Sequence, residues 1–123
     1  MSSTNEPSFD WSQAASLLGD DPNLVADDMA EIVTELIESG YSHLQELKGK
    51  NADADRKAIS AQAHQLRGSL LNFGFTEVGT ILLKIEKGDY TTPEYPALID
   101  QTEKVFAESK KMLAARYPSL KLS

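Results

Sequence analysis

One histidine, His64, lies in a run of residues whose types and spacing suit phosphoryl chemistry. Gly68 follows it by four residues, so in a helix the two share one face and the glycine leaves bare backbone beside the imidazole. A glycine inside a helix costs roughly 1 kcal/mol relative to alanine, and access for a second protein is one reason to keep it. Arg67 adds a positive charge nearby. An accessible imidazole with a cation beside it predicts a residue that accepts a phosphoryl group and passes it on.

The size and charge of the chain narrow the class of protein. Its 123 residues are enough for one domain with one hydrophobic core. The sequence has neither a run of about 18 apolar residues nor a signal-peptide pattern, so we expect a cytoplasmic protein without a membrane segment. The net charge of −7 disfavours nucleic acid and anionic lipid as main partners. This charge makes a protein the expected partner. Because no cysteine occurs, disulfides and thiolate metal sites are excluded.

Hydrophobic periodicity predicts helices along most of the chain. Asp10 is expected to cap a short helix that stops at Gly19, and Asp21 followed by Pro22 predicts a long helix running to about Leu47. The inward residues of that long helix are expected to be Val25, Met29, Ile32, Leu36, Gly40 and Leu47. The remaining helices are expected from Asp53 or Asp55 to Phe73, from Thr76 to Gly88, and from Thr92 to Pro118.

The helix that carries His64 has one apolar stripe, with the histidine on its flank. The stripe consists of Ile59, Ala63, Leu66, Leu70 and Phe73. No stretch alternates as a strand does, and the connections are short, so we predict an all-α fold: an antiparallel four-helix bundle with a short additional N-terminal helix. The expected divisions are a flexible N-terminus over 1–8, a single domain over 9–118 and a C-terminal tail over 119–123.

The run His64-Gln65-Leu66-Arg67-Gly68-Ser69, followed by Phe73-Gly74, resembles the signature of histidine phosphotransfer (HPt) domains. That pattern has His, any residue, Leu, Lys or Arg, Gly, Ser and a small residue, with a hydrophobic-Gly pair four positions beyond the serine. The pair Ile85-Glu86 falls where the family tends to have a hydrophobic residue and a glutamate. Leu70 replaces the usual small residue, which suggests locally different packing. The likeness covers roughly residues 9–115.

The resemblance implies a phosphocarrier of two-component signalling, which moves a phosphoryl group from an aspartate on one receiver domain to an aspartate on another. His64 would be the phosphoacceptor, Arg67 would balance the phosphoryl charge, and Glu86 would orient the imidazole. The chain would need no cofactor of its own, because the Mg²⁺ of the reaction belongs to the receiver, and it would have no ATP-dependent kinase activity. The expected partners are receiver domains and a hybrid sensor kinase, and the expected state is a monomer.

The face around His64 is the expected docking surface for a receiver domain. Its members are expected to be Gly68, Leu71, Ser60 and Lys84. Leu71 would contribute an exposed apolar contact two turns after the histidine, whereas Lys84 could instead be a solvated charge. Ser69 is expected to make a hydrogen bond to the helix backbone or to a neighbouring helix. The residues expected to be structural are Ser69, Leu66 and Gly74.

Two other classes of protein remain open. An adaptor or inhibitor could bind a sensor kinase or receiver through the same face without being phosphorylated, and its binding would survive replacement of His64. A metal-binding four-helix bundle would need inward Glu-x-x-His pairs, which the sequence lacks. His43 has apolar neighbours and is expected to pack at the flank of the bundle. The acids expected at helix starts rather than in a metal site are Asp20, Asp21, Asp27 and Asp28.

Overall fold

The computed structural model describes residues 6–122, and these residues form helices and connecting turns without a strand. The five α-helices are α1 (Trp11–Leu18), α2 (Asp27–Lys48), α3 (Arg56–Leu71), α4 (Thr76–Glu86) and α5 (Tyr95–Arg116). Single 3₁₀ turns precede and follow α5, at Thr92–Glu94 and Pro118–Leu120. The predicted all-α class is therefore confirmed. Residues 1–5 of the predicted flexible N-terminus and Ser123 of the predicted tail lie outside the described residues.

The short helix α1 begins and ends at the predicted residues. The Asp10 carboxylate accepts a hydrogen bond from the main-chain N–H of Gln13 at 3.1 Å, which satisfies one donor of the first turn. Gly19 follows the last helical residue, and its N–H donates to the carbonyl of Ala15. Both signals act within a few residues along the chain, so the sequence alone is enough to place them.

The start of α2 differs from the prediction, because the helix begins at Asp27 and not at Pro22. The Asp21 carboxylate accepts a hydrogen bond from the N–H of Asn23 at 2.9 Å, which makes a local turn. The hydroxyl of Ser119 also donates to the carbonyl of Pro22 at 2.7 Å. These contacts hold the segment as a loop, so Asp21 is a turn residue, whereas Asp27 does lie in the first turn of α2 as expected.

The buried face of α2 agrees with the prediction at Gly40 and Leu47, but in the first half of the helix it is displaced by one residue. Ile32 was expected to face inward, but it is 45% exposed, whereas the adjacent Val33 is fully buried. Consecutive helical residues point about 100° apart, so the two cannot share a face. The buried residues of the helix are Val33, Ile37, Gly40, Leu44 and Leu47. This row is the buried one because its apolar residues follow one another at spacings of three and four, and so lie on a single face of the helix.

The four long helices contact one another in a closed circuit around one hydrophobic core. Helix α2 packs on α3 and α5, and α4 packs on the same two helices, while α1 lies against α2. Phe75 and Phe106 are both fully buried, and their ring centroids lie 5.6 Å apart. A Cβ on Gly40 would lie only 2.7 Å from the Phe106 ring, so this glycine allows α2 and α5 to approach closely.

Both ends of the described chain pack against the helices. The Ser8 N–H donates to the Glu77 carboxylate of α4 at 2.9 Å, although Ser8 falls within the segment predicted to be flexible. Leu120 is only 4% exposed, although it falls within the predicted tail. The packed unit therefore extends beyond residues 9–118. Within residues 6–122, no helix combines the length and the hydropathy needed to cross a bilayer.

The turn between α3 and α4 sets the geometry of the pair that carries the site. Helix α3 ends at Leu71 rather than at Phe73, and Gly74 then has a φ of +96°, in the left-handed region. The Asp10 N–H donates to the Gly74 carbonyl at 2.8 Å, and a Cβ on this glycine would lie 2.5 Å from the Asp10 carbonyl oxygen. Gly74 thus joins the start of α1 to the α3–α4 turn.

Candidate functional site

His64 lies on the outer face of α3, opposite the residues that anchor this helix in the core. Ala63 and Leu66 on either side of it are 0% and 2% exposed, so the predicted apolar stripe faces inward. The His64 side chain is 66% exposed. The helix therefore has its backbone fixed by packing while the imidazole faces solvent, where a second protein can reach it.

Glu86, the last residue of α4, binds both His64 and Arg67 of α3. One carboxylate oxygen lies 2.8 Å from the His64 Nδ1, and the other accepts a hydrogen bond from the Arg67 Nε at 3.0 Å. The Glu86 and Arg67 side chains are 22% and 24% exposed, so both are largely shielded beside the exposed imidazole. The structure thus brings together the three residues that the sequence proposes for the phosphoryl chemistry.

The charge state of Glu86 follows from these contacts. Partial burial acts to raise the pKa of the Glu86 carboxyl, but the hydrogen bonds from His64 and Arg67 and their charges outweigh it, so the pKa is lowered. Glu86 is therefore an ionised carboxylate at neutral pH, and it can only accept hydrogen bonds. The hydrogen in the contact must then belong to the His64 Nδ1. In the neutral ring this leaves the lone pair on Nε2.

Side chains of α3 also bind the backbone at the end of α4. The Ser60 hydroxyl donates to the main-chain carbonyl of Glu86 at 2.7 Å. The Arg56 guanidinium donates to the carbonyls of Gly88 and Tyr90 at 3.2 and 2.9 Å. Ser60 was predicted to belong to the docking face, whereas the structure directs its hydroxyl towards α4. Sequence reasoning missed Arg56, although its position eight residues before His64 places it on the same helix face.

Gly68 leaves an opening on the face of α3 that carries His64. A Cβ built on this residue would meet no atom within 4 Å, apart from its own stretch of helix. Gly68 is exposed and lies within the helix. Neither core packing nor an unusual backbone conformation therefore accounts for a glycine here.

Leu71 does not form the exposed apolar contact that we expected. It is half-buried, and its Cδ2 lies 2.6 Å from where a Cβ on Gly79 would be. Leu71 therefore packs over the bare backbone of α4 and helps to hold α3 and α4 together. Ser69 is exposed, and within residues 6–122 its hydroxyl binds neither the helix backbone nor a neighbouring helix, the two partners that we expected.

Lys84 is exposed on α4 and belongs to the electrostatic environment of Glu94. The pKa of Glu94 is lowered first by hydrogen bonds from the Thr91 main chain and hydroxyl, and more weakly by the charge of Lys84. Lys84 therefore lies near the start of α5.

His43 of α2 is half-buried, and its Nδ1 lies 2.9 Å from the Gln62 Nε2 of α3. His43 therefore lies at the α2–α3 contact.

Within residues 6–122, no group of three or more His, Cys, Asp or Glu side chains is arranged to hold a metal ion. The acidic residues near the start of α2 do not form such a group.

Comparison with protein families identifies the class to which this site belongs. The family model described as Hpt domain matches residues 31–115, which is well over half of the chain. The chain therefore belongs to the Hpt domain family. Membership indicates a phosphotransfer role in two-component signalling, and proteins of this family are phosphocarriers rather than kinases. Comparisons with curated proteins and with solved structures each gave no significant match.

Proposed function

We propose that this protein relays a phosphoryl group between receiver-domain aspartates by holding it on the Nε2 of His64. The observation that carries the proposal is the bond between Nδ1 and Glu86, because in the neutral ring it leaves the lone pair on Nε2 of an imidazole that is 66% exposed. Neutral imidazole is a competent nucleophile near neutral pH. The opening at Gly68 supports the proposal, since it gives a receiver room to approach.

The proposed transfer needs no general base in this chain. The Nε2 lone pair attacks the phosphorus of an aspartyl phosphate in line with the P–O bond to the aspartate, so an N–P bond forms as that P–O bond breaks. The aspartate leaves as a carboxylate, and the Nδ1 hydrogen stays on the ring. Attack by a carboxylate of a second receiver reverses these bond changes and returns the unmodified histidine.

Glu86 and Arg67 are proposed to act on the charges that develop in this reaction. Phosphorylation of Nε2 makes the imidazole ring cationic, and the Glu86 carboxylate at 2.8 Å from Nδ1 stabilises that charge. Arg67 uses its Nε to hold Glu86, so its terminal N–H groups are the donors proposed to balance the phosphoryl oxygens. Glu86 is thereby a positioning residue, held in turn by Arg67.

The partners and the state of the protein are part of the same proposal. Receiver domains are the phosphoryl donors and acceptors, a hybrid sensor kinase supplies one of them, and Mg²⁺ is bound by the receiver. Gly68 lies at the proposed docking face. We further propose that the protein is a cytoplasmic monomer, and that the closed circuit of α2, α3, α4 and α5 is an antiparallel four-helix bundle.

The test is phosphoryl transfer from a receiver domain carrying radiolabelled aspartyl phosphate. The wild-type protein should take up label that is stable in base and labile in acid, and peptide mapping should place the label on His64. A His64→Gln variant should take up none. A His43→Gln variant is the matched control, since the second histidine of the chain lies at the α2–α3 contact and should not affect labelling.

Two results would contradict the proposal. Persistent labelling of His64→Gln would place the phosphoryl group on another residue. If the wild-type protein takes up no label but both it and His64→Gln bind the receiver with equal affinity, the protein is an adaptor or inhibitor and not a phosphocarrier.

A further inference from the structure

The end of α4 is held by hydrogen bonds from α3 to three main-chain carbonyls. The last four carbonyls of a helix have no partner within the helix, so other groups must satisfy them. The Ser60 hydroxyl binds the carbonyl of Glu86 at 2.7 Å. Arg56 binds the carbonyls of Gly88 and Tyr90 at 3.2 and 2.9 Å. The backbone that carries the Glu86 side chain is thereby fastened on both sides of the turn that follows it.

The turn after α4 is shaped to receive these side chains. Gly88 has a φ of +72°, in the left-handed region, where the chain reverses after the helix. The Arg56 guanidinium carbon lies 4.3 Å from the centre of the Tyr90 ring, so the cation also contacts the aromatic face. Tyr90 itself is 8% exposed. Arg56 is therefore tied to a buried part of the fold.

Arg56, Ser60 and His64 are spaced by four residues and form one row on α3. The first two residues of the row bind the backbone around Glu86, and the third binds its carboxylate through Nδ1. Glu86 is the final residue of α4, in the part of a helix that frays most readily. Its carboxylate can face the imidazole persistently only if this last turn is fixed.

We propose that Ser60 and Arg56 are positioning residues for the chemistry of His64, because they fix the end of α4 and so hold Glu86 against Nδ1. This inference rests on the proposed function for its effect on transfer. It differs from the docking role expected of Ser60, since its hydroxyl acts through the backbone of Glu86 and not through a receiver. Both side chains donate to main-chain carbonyls and not to the His64 ring.

The experiment compares Ser60→Ala with wild type by two measurements. The first is the ¹⁵N NMR spectrum of the His64 ring in the unphosphorylated protein, which distinguishes hydrogen on Nδ1 from hydrogen on Nε2. The second is the rate of transfer from a phosphorylated receiver as a function of receiver concentration. Ser60→Thr, which keeps a hydroxyl, tests rescue. Ser42→Ala is the matched control, because Ser42 is exposed on α2.

We expect wild type and Ser42→Ala to show hydrogen on Nδ1, and Ser60→Ala to show a mixture of the two tautomers. The maximal transfer rate of Ser60→Ala should fall by about 3- to 10-fold, the effect of losing one hydrogen bond, at an unchanged half-saturating receiver concentration. Arg56→Gln should shift the spectrum in the same direction, and Ser60→Thr should restore most of the rate. Alanine suits a helix, so circular dichroism should show that Ser60→Ala remains folded.

The inference is overturned if Ser60→Ala keeps both the wild-type ring spectrum and the wild-type maximal rate. It is also overturned if only the half-saturating concentration rises, since Ser60 would then be a docking residue. Absence of label on wild-type protein would instead contradict the proposed function. In that case the ring spectrum, which needs no receiver, still decides whether Ser60 positions Glu86.

Discussion

Replacing Gly68 should raise the stability of the fold and lower the rate of phosphoryl transfer. The residue lies inside α3, and a Cβ there would meet no atom within 4 Å outside its own helix segment. Gly68→Ala should therefore stabilise the protein by about 1 kcal/mol, the usual cost of a helical glycine. For a domain of this size, that corresponds to a rise of roughly 4 °C in Tm. Gly68→Gln should also be at least as stable as wild type, since glutamine is a good helix former.

The same substitutions should slow phosphoryl transfer. A glutamine at this position projects from the face of α3 that carries His64 and occupies the opening through which a receiver approaches. This obstruction weakens docking of the receiver, and a loss of about 2.8 kcal/mol of docking free energy corresponds to on the order of 100-fold in affinity. We expect that loss in the second-order rate constant for Gly68→Gln, and a smaller loss for Gly68→Ala.

The assay combines thermal unfolding with transfer from a phosphorylated receiver, using Ser42→Gln on the exposed face of α2 as the control for an added glutamine. The control should transfer at the wild-type rate. Wild-type transfer by Gly68→Gln would refute the access argument. A fall in Tm for Gly68→Ala would refute the claim that the position is open.

Two further substitutions test the packing and the charge of the site. Gly40→Ala should destabilise the protein by a net amount of roughly 1 kcal/mol in denaturant unfolding, because its Cβ would lie 2.7 Å from the buried Phe106 ring; stability equal to wild type would contradict this. The lowered pKa of Glu86 stabilises the fold above its ordinary value of 4.5, and this contribution is lost as pH falls through the folded-state value. The free energy of unfolding, measured at neutral pH and below pH 4.5, should thus change less with pH in Glu86→Gln than in wild type. An equal change in the two proteins would contradict this prediction.

Sequence patterns were most informative where a signal and its effect lie close together along the chain. Helix α1 begins after Asp10 and ends before Gly19 as predicted, since capping is a contact within one turn. The pair Asp21-Pro22 is equally typical of a helix start and of a turn, and the choice between them involves Ser119, which is distant in sequence. No local reading of the chain could include that contact.

The hydrophobic face of α2 shows a second reason for error. Ile32 and Val33 are both apolar, so periodicity allows two overlapping stripes. Only the packing of α2 against α3 and α5 selects the row that contains Val33. In the site, likewise, the resemblance to HPt domains suggested Glu86, but the contact of both carboxylate oxygens with α3 depends on how α3 and α4 pack. Arg56 was not predicted, because an arginine at the start of a helix is usually interpreted as a solvated charge.

The exposure of the side chains changes along one row of α3, which consists of Arg56, Ser60, His64 and Gly68. Arg56 and Ser60 are half-buried and tied to α4, whereas His64 and Gly68 are exposed. Changes at the first two positions should therefore act on the orientation of the imidazole and appear in the maximal transfer rate. A change at Gly68 obstructs the receiver before any bond is made, so it should appear mainly in the half-saturating receiver concentration. Because one helix face carries both functions, measuring the two kinetic quantities separately distinguishes the positioning of His64 from access to it.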